Sequence, residues 1–553
     1  MTRFEPPGPG GWDLDLSHFP GGTTPIAQAL MAGGIEKAYE DLFAELGVPA
    51  RTIRFRWVNG FVYTRLEPLV GANRATSEPP PKWVMKVASR VLPEFRRRER
   101  SAKANLDNPP WPDVVKEWTD NIEPRLTARN RELQNVDLTI LDDVELADHL
   151  QVLFDHCFAT YREHHRLHGY DMGPVGRFVF ACRGWGIDAA DAVQTLAGAS
   201  PHTSGPSRAV GEIRSAITAA GVDLEGLEPD LDAIASVSPL VAQMLDDYMG
   251  RHGWVVYTGY DVESFTMADT PGVLARTIVF GTHRERVVDH VAAISELRER
   301  VPAGDRSHFD TLVTDARGAM GMRDAQGPIT VEWPTGLLRR GMLEAGSRLV
   351  AAGEMNATGH VFELTIDELT AAVAGRAALS ADELAARCEE RAAMRLLDAP
   401  RKLGDDPPPP PPDVLPRAMR SMVSVVRATM EEMGLVADGF DAEEQRLSGV
   451  GIGNSTFTAI ARVAVTPEEA LERLDPGDIL VTLTTSPAYN LVLSLVGGLV
   501  TAEGGPVCHA AVLSRELGIP AVIGATDALV AIPDGSTVEI DPVAGRVRVI
   551  DTA

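Results

Sequence analysis

One stretch, Gly504–Val522, constrains the fold more tightly than any other, because its punctuation leaves room for a single local structure. Leu499 to Thr501 close an apolar strand, and Gly504 and Gly505 then permit a sharp turn and close approach of backbone to a ligand. A helix of little over two turns is predicted from about His509 to Leu517. Gly518 stands where a left-handed C′ residue is wanted, and Pro520 forbids continuation. The order is strand, glycine turn, short helix, strand. His509 falls in the first helical turn, where backbone N–H groups point outward and an anion is stabilised. An imidazole in that position can attack a phosphoryl group while the N–H groups hold the transferred oxygens.

A lone histidine at a helix start is ordinarily a capping or packing residue. Here the surroundings argue otherwise. Gly-Gly-x-x-Cys-His-Ala-Ala-x-x-x-Arg-Glu-Leu-Gly-Ile-Pro-Ala-Val-x-Gly closely resembles the phosphohistidine motif of the mobile, swivelling domain of the phosphoenolpyruvate-utilising enzymes. Phosphoenolpyruvate synthase, pyruvate phosphate dikinase, rifampin phosphotransferase and phenylphosphate synthase share that module. The resemblance implies that His509 is the phosphorylated residue. It makes Gly504, Gly505 and Cys508 the turn around the phosphate, with Thr485 and Thr501 as its support. Related synthases also place cysteine before the histidine, so Cys508 reads as a small turn residue rather than a nucleophile.

The chain has 553 residues, enough for about three to four domains of ordinary size. At 44% apolar and 24% charged it has ample material for cores. A formal net charge of -26 argues against nucleic acid and anionic membrane as partners. It does not argue against phosphate chemistry, since a local helix terminus can oppose the global field. Cys157, Cys182, Cys388 and Cys508 show neither metal nor disulfide spacing. The start carries no apolar signal-like region and no run reaches membrane-spanning length, so a soluble cytoplasmic protein is expected.

Residues 1–25 are rich in Gly and Pro. Trp12-Asp13 and His18-Phe19-Pro20, ending in Thr24-Pro25, resemble the opening of the central domain of rifampin phosphotransferase-like proteins; in the plainer reading Trp12 and Phe19 dock an arm on the core. A helix is predicted over Thr24–Leu46. A hairpin follows over Arg54–Tyr63, turning at Asn59-Gly60. Residues 81–135 read as helical, and the Arg96-Arg97-Arg98 run as a solvated face paired with Glu99 and neighbouring acids.

A long helix is predicted from about Val144 to His168, capped by Asp142 or Asp143 and ended by Gly169. It carries His149, His156, His164, His165 and His168. His164 and His168 are four residues apart and share a face, a spacing that metal ligands use. No HExxH pattern or downstream carboxylate accompanies them, and no metal is assigned. A structural or solvent-facing role stands beside one as substrate-site base or orienting group. The Gly169–Pro174 segment is expected to be a loop able to line a pocket. Further along, Asp261-Val262-Glu263-Ser264 and Asp269-Thr270-Pro271 resemble a region of phenylphosphate synthase-like central domains. His252, Tyr257, Asp261 and Glu263 are therefore candidates for substrate contact, with a satisfied polar loop as the other reading.

Leu337–Leu369 resembles the module preceding the swivel in these enzymes. Thr365 with Glu368, and Ser380 with Glu383, are capping boxes. Pro407 to Pro412 is a polyproline spacer, suited to tethering a carrier that visits two sites. After a helix at about 416–434, strands are predicted at 460–465, 478–483, 497–501, 521–524, 536–541 and 546–551, with helices at 466–474 and 487–495. Ala459-Ile460 replaces glycine often found there in relatives, which bears on a bend and not on the chemistry. The expected architecture is multidomain α+β. A large, mainly helical region (1–400) precedes a Pro-rich linker and helix (401–436), and a β/β/α phosphohistidine swivelling domain (437–553) follows.

No glycine-rich nucleotide loop with a paired lysine precedes the swivel, and the stretch after His509 is too short for a phosphoenolpyruvate-binding barrel. The resemblance then implies a phosphotransferase component. His509 would carry a phosphoryl group from a separate ATP-grasp partner, which binds ATP and Mg²⁺, to a small organic hydroxyl acceptor held by residues 1–400. Two other readings stand beside it: a phosphoenolpyruvate synthase-like component acting on pyruvate, and a non-enzymatic phosphocarrier or regulatory protein.

Overall fold

The computed structural model describes residues 3–15, 18–19, 21–69, 81–196, 198–281, 290–405, 411–432, 447–485, 489–506 and 508–551. The chain forms two compact units. The first comprises Met1–Tyr170, Tyr260–Ser264 and Gln326–Ser424; the second comprises Asp171–Gly259, Phe265–Ala325 and Val425–Ala553.

The first unit is mainly helical and carries a small antiparallel sheet of strands Ala50–Val58, Phe61–Pro68, Trp12–Leu14 and Lys402–Leu403, in that order. Asn59 (φ 52°) and Gly60 (φ 82°) make the two-residue turn, the left-handed pair that matches strand twist in a tight hairpin. The strands extend further on both sides than the β-rich runs alone indicate. Trp12 packs with Phe61, Tyr63 and Leu403, and Phe19 is also buried, so the N-terminal arm docks on the core. The predicted Thr24–Leu46 helix is present in three pieces, Pro25–Leu30, a π-helical turn Met31–Ile35 and Glu36–Leu46. Thr24 caps it, its hydroxyl accepting the Ala27 N–H at 3.2 Å.

Two expectations for this unit are corrected. The long helix runs Asp143–Gly184, past Gly169 and through Pro174, so the anticipated Gly-rich loop is helix. Gly169 serves close packing rather than termination: a Cβ there would lie 2.5 Å from Leu46 Cδ1 and 2.8 Å from Leu42 Cδ1. Asp142 is the cap, accepting the N–H groups of Val144 and Glu145 at 2.9 Å each, while Glu145 returns the bond to the Asp142 N–H. Arg97 and Arg98 pair with Glu94, one of the neighbouring acids expected, rather than with Glu99, and Arg98 is not solvated but buried, donating to Val48 O at 3.2 Å. Glu99 instead accepts the Ala418 and Met419 N–H groups at the start of the helix Arg417–Glu432. Both capping boxes, at Thr365 and Ser380, are present.

The second unit is built around a seven-stranded mixed sheet. In order, the strands are Arg546–Asp551, Thr537–Asp541, Phe457–Val463, Ile479–Thr482, Gly498–Thr501, Ala521–Ile523 and Val450–Ile452. The four strands from Phe457–Val463 to Ala521–Ile523 are parallel, and antiparallel strands flank them. Short helices Pro467–Arg473, Asn490–Leu493 and His509–Leu517 make the crossovers. The central strands are apolar at consecutive positions because both faces are covered. Leu480, Leu499 and Ala521 join one core with Leu513, while Ile479, Val481, Val500 and Val522 join another with Val538 and Ile540. Each of the larger side chains stabilises the fold by about 1.5–3 kcal/mol through burial. The edge strand Val450–Ile452 is an addition to the predicted set. Pro407 to Pro410, residues 437–446 and Ser486 to Ala488 lie outside the described residues, and with them most of the proline spacer and the expected start of the swivel. Among the described residues, no helix is long and apolar enough to cross a membrane.

Candidate active site

At the centre of the mixed sheet, Ile479–Thr482 and Gly498–Thr501 run parallel with Thr482 opposite Thr501. The loops that leave their carboxyl ends therefore emerge side by side, the position where open α/β sheets hold ligands. Thr485 lies on the first loop, and the second leads through Gly504 and Gly505 into the helix His509–Leu517. Gly504 takes φ +120°, and a Cβ there would lie 2.8 Å from Cys508 Sγ and 3.0 Å from Ile523 Cγ2. The turn is closed by the Cys508 N–H donating to Gly505 O at 3.1 Å. Thr501, fully buried, donates its hydroxyl to Glu503 O at 2.8 Å and so ties the turn to the strand end. Arg515 reaches back to donate to Pro506 O at 2.5 Å, which gives the motif's arginine a structural task. Gly518 ends the helix in the left-handed conformation, φ 67°.

His509 is the first residue of this helix, with Cys508 as its N-cap. Its Nδ1 lies 2.9 Å from Thr485 Oγ1 and its Nε2 lies 2.8 Å from Asn490 Oδ1. As the amide stands, Nε2–H donates to Asn490 and the Thr485 hydroxyl donates to Nδ1. Burial, with Arg323 adding to it, pulls the imidazole down from 6.5 to about 3, so the ring is neutral at physiological pH. A neutral imidazole beside the N-terminal N–H groups of a helix is in the protonation state that a nitrogen nucleophile toward phosphorus requires. Burial pushes the Cys508 thiol up, against the pull of the surrounding Ala511, Gly505 and Ala510 N–H groups; it is no thiolate nucleophile.

Sequence reasoning missed Asn490 and Arg323. Neither belongs to a spaced motif. Asn490 is aimed by its neighbour Tyr489, which is buried and whose hydroxyl bonds Val465 O at 3.1 Å and Thr482 Oγ1 at 3.2 Å. An aromatic followed by an amide, just beyond the Thr484-Thr485 turn, is the only trace of it in the sequence.

The other candidates divide between the units. In the second, His252 closes the helix Pro239–His252 with its ring 4.9 Å from that of Tyr248, and Tyr257 is buried with its hydroxyl against that of Thr270. In the first, Asp261 accepts the Thr24 N–H at 2.8 Å and the Thr24 hydroxyl at 2.6 Å. Burial, with Glu263 nearby, raises the Asp261 carboxyl to about 6. Glu263 pairs with Arg391 at 2.9 Å and with Arg395. His164 and His168 do come together, with ring centroids 4.4 Å apart, and His165 joins them.

Residues 474–545 match the family described as PEP-utilising enzyme, mobile domain. The chain is similar to phosphoenolpyruvate synthase of Aeropyrum pernix, 40% identical over 98 residues, 18% of this chain and 12% of that protein. It is similar to phosphoenolpyruvate synthase of Escherichia coli, 36% identical over 125 residues, 23% of this chain and 15% of that protein. Over 574 aligned residues, 98% of this chain, it is 25% identical to chondramide synthase cmdD of Chondromyces crocatus, of which the match is 14%. The chain thus spans a minor part of the curated relatives it matches. The matched stretch, residues 474–545, encloses Thr485, Asn490, Thr501 and His509, and it is this part of the chain that is similar to the mobile domain of the PEP-utilising enzymes.

Proposed function

We propose that the chain is a phosphotransferase component in which His509 carries a phosphoryl group from a separate ATP-grasp partner to a small organic hydroxyl acceptor. The observation that carries this reading is the neutral His509 imidazole at a helix N-terminus, held by Thr485 and Asn490. In the other neutral tautomer the ring proton has moved from Nε2 to Nδ1, where it is donated to Thr485 Oγ1, and the lone pair is on Nε2. The Asn490 amide, turned through half a rotation, then presents its NH₂ to that nitrogen and to the incoming phosphoryl oxygens. Nε2 attacks phosphorus in line; the P–N bond forms as the bond from phosphorus to the donor's leaving oxygen breaks. In the second half-reaction the acceptor oxygen attacks. A P–O bond forms, the P–N bond breaks, and the hydroxyl proton passes to a base. ATP and Mg²⁺ belong to the partner in this reading, and the helix terminus supplies the charge complement at His509. The phosphoenolpyruvate synthases among the relatives make phosphoenolpyruvate a second donor to include.

The test is a chase. The chain is labelled with radioactive phosphate using an ATP-grasp partner and ATP with Mg²⁺, or phosphoenolpyruvate, freed of donor, and mixed with a panel of alcohols, phenols and pyruvate. Label leaving wild type as an alcohol or phenol phosphoester supports the reading. Label passing only to pyruvate moves the chain to the synthase reaction, and label that transfers to nothing beyond water leaves it a carrier.

A further inference from the structure

We propose that His164, His165 and His168 form a binding site for a divalent transition-metal ion of the zinc class. One donor atom from each lies within 4.8 Å of the others, and the ring centroids are 4.4, 5.0 and 5.5 Å apart. The spacing along the helix fits chelation twice over. His164 and His168 are one turn apart at i, i+4, His165 and His168 at i, i+3, and His168 is shared. A four-coordinate zinc-class ion with metal–nitrogen bonds of about 2.0–2.1 Å brings its ligand nitrogens to about 3.4 Å, so rotations moving each ring by roughly an ångström close the site.

The hydrogen bonds around the cluster set the tautomers that a metal needs. His165 Nδ1 lies 2.7 Å from Tyr161 O; a carbonyl only accepts, so Nδ1 carries the proton and the lone pair is on Nε2. His164 Nδ1 lies 3.1 Å from Thr330 Oγ1, and the Thr330 hydroxyl donates to Gln326 O. Thr330 therefore accepts from His164, and that lone pair is on Nε2 too. Metal-bound histidines are held in this way, with the non-ligating N–H on a carbonyl or hydroxyl oxygen that fixes ring and tautomer. Thr330 is presented by a π-helical turn, Pro328–Glu332, a local departure from α-helix of the kind enriched at functional sites. With imidazole donors and no thiolate among them, the set suits Zn²⁺, Co²⁺, Ni²⁺ or Cu²⁺ over Mg²⁺ or Ca²⁺. Three protein ligands leave a coordination position for water or for the oxygen of a small molecule, as catalytic rather than structural zinc sites do. The site departs from the expectation of no metal, and it does not depend on the phosphohistidine reading.

The experiment uses the full chain, stripped with chelator and titrated with Co²⁺ alone at pH 7.5, followed by the visible absorption of the bound ion and by calorimetry. Wild type and the His149→Ala control are expected to bind about one ion per chain with four- or five-coordinate nitrogen-type bands. His165→Ala and His168→Ala are each expected to lose the bands and weaken binding by at least about tenfold, with unchanged helical circular dichroism. Thr330→Val, which keeps all three ligands, is expected to weaken binding by about 10- to 100-fold. Absence of saturable binding by wild type, or binding that His165→Ala, His168→Ala and Thr330→Val leave unchanged, overturns the proposal.

Discussion

Thr482 stands opposite Thr501 in the parallel pairing at the centre of the mixed sheet, and this register decides which loops face each other beyond the strand ends. Thr485 is three residues beyond Thr482 and His509 eight beyond Thr501, and the two side chains meet at 2.9 Å. A slip of one residue would turn every side chain of the strand to the other face and break that contact.

Removing the Thr485 hydroxyl should slow phosphorylation without unfolding the domain. Thr485→Val deprives Nδ1 of its partner. A hydrogen bond of this class is worth about 0.5–1.5 kcal/mol, and up to about 3 with a charged group, so the rate of His509 labelling should fall by about 2- to 10-fold, and by up to about 150-fold if the bond is to a charged state. Thr485→Ser should keep most of the rate. Rapid-quench labelling, with thermal melting alongside, distinguishes a lost contact from a lost fold.

Asn490 gives an asymmetric pair. An amide can turn to offer NH₂ to Nε2, whereas a carboxylate only accepts. Asn490→Asp should hold the Nε2 proton and repel the phosphoryl oxygens, cutting labelling by about tenfold or more. Asn490→Ala, which removes the group altogether, should cost less. Equal rates for Asn490→Asp and wild type would count against attack through Nε2.

The depressed imidazoles make a statement about pH. His509 and His165 are each lowered from 6.5 to about 3, and His156 to about 4, in every case chiefly by burial. A base with a depressed folded-state value binds fewer protons in the native than in the unfolded state between the two values. Its stability contribution is present above about pH 6.5 and is lost as pH falls toward 3–4. From pH 7 to pH 5 wild type should therefore lose more melting temperature than a His156→Gln variant, in which one such imidazole is gone while the raised carboxyls of Asp261, Glu332 and Glu516, which act the other way, are common to both. Labelling of His509 should not drop over the same range through protonation of the nucleophile, as it would for an ordinary histidine. An inflection in the labelling rate near pH 6.5 assigned to His509 would contradict the buried, neutral ring.

Two glycines should be intolerant for different reasons. Gly504→Ala puts a Cβ at φ +120° and 2.8 Å from Cys508 Sγ, which should cost about 1–3 kcal/mol and distort the turn before His509. Gly169→Ala has no strained backbone but drives a Cβ into Leu46 and Leu42, an overpacking cost of about 1–3 kcal/mol. Gly504→Ala should lower both stability and labelling, and Gly169→Ala should register as destabilisation of the first unit. Denaturant unfolding measured with labelling separates them.

How much of this was legible in the sequence follows from how local each signal is. The helix His509–Leu517 was readable to the residue because its turn, stop and proline all act within a few positions. The Asn59-Gly60 hairpin and both capping boxes were readable for the same reason. Gly169 misled because a glycine can end a helix or admit a neighbour, and only the tertiary approach of Leu42 and Leu46 decides which. Glu99 misled likewise: its partners, the N–H groups of Ala418 and Met419, lie far along the chain. In the site, the motif pointed to His509 and Thr485, while Asn490 came from a helix whose aim depends on Tyr489 packing against Thr482. His164 and His168 were paired by spacing, but Thr330, which fixes the His164 tautomer, is brought there by the fold.

The central claim is that His509 accepts a phosphoryl group, and the most direct measurement is peptide-level mass spectrometry of acid-labile phosphate. The chain, with His509→Ala as control, is incubated with Mg²⁺ and ATP in the presence and absence of an ATP-grasp partner, and separately with phosphoenolpyruvate. The account predicts phosphate on His509 of wild type when ATP and partner are both present, lost on acid treatment and absent from His509→Ala. Phosphate found on another residue, or none on His509 under any of these conditions, would contradict it.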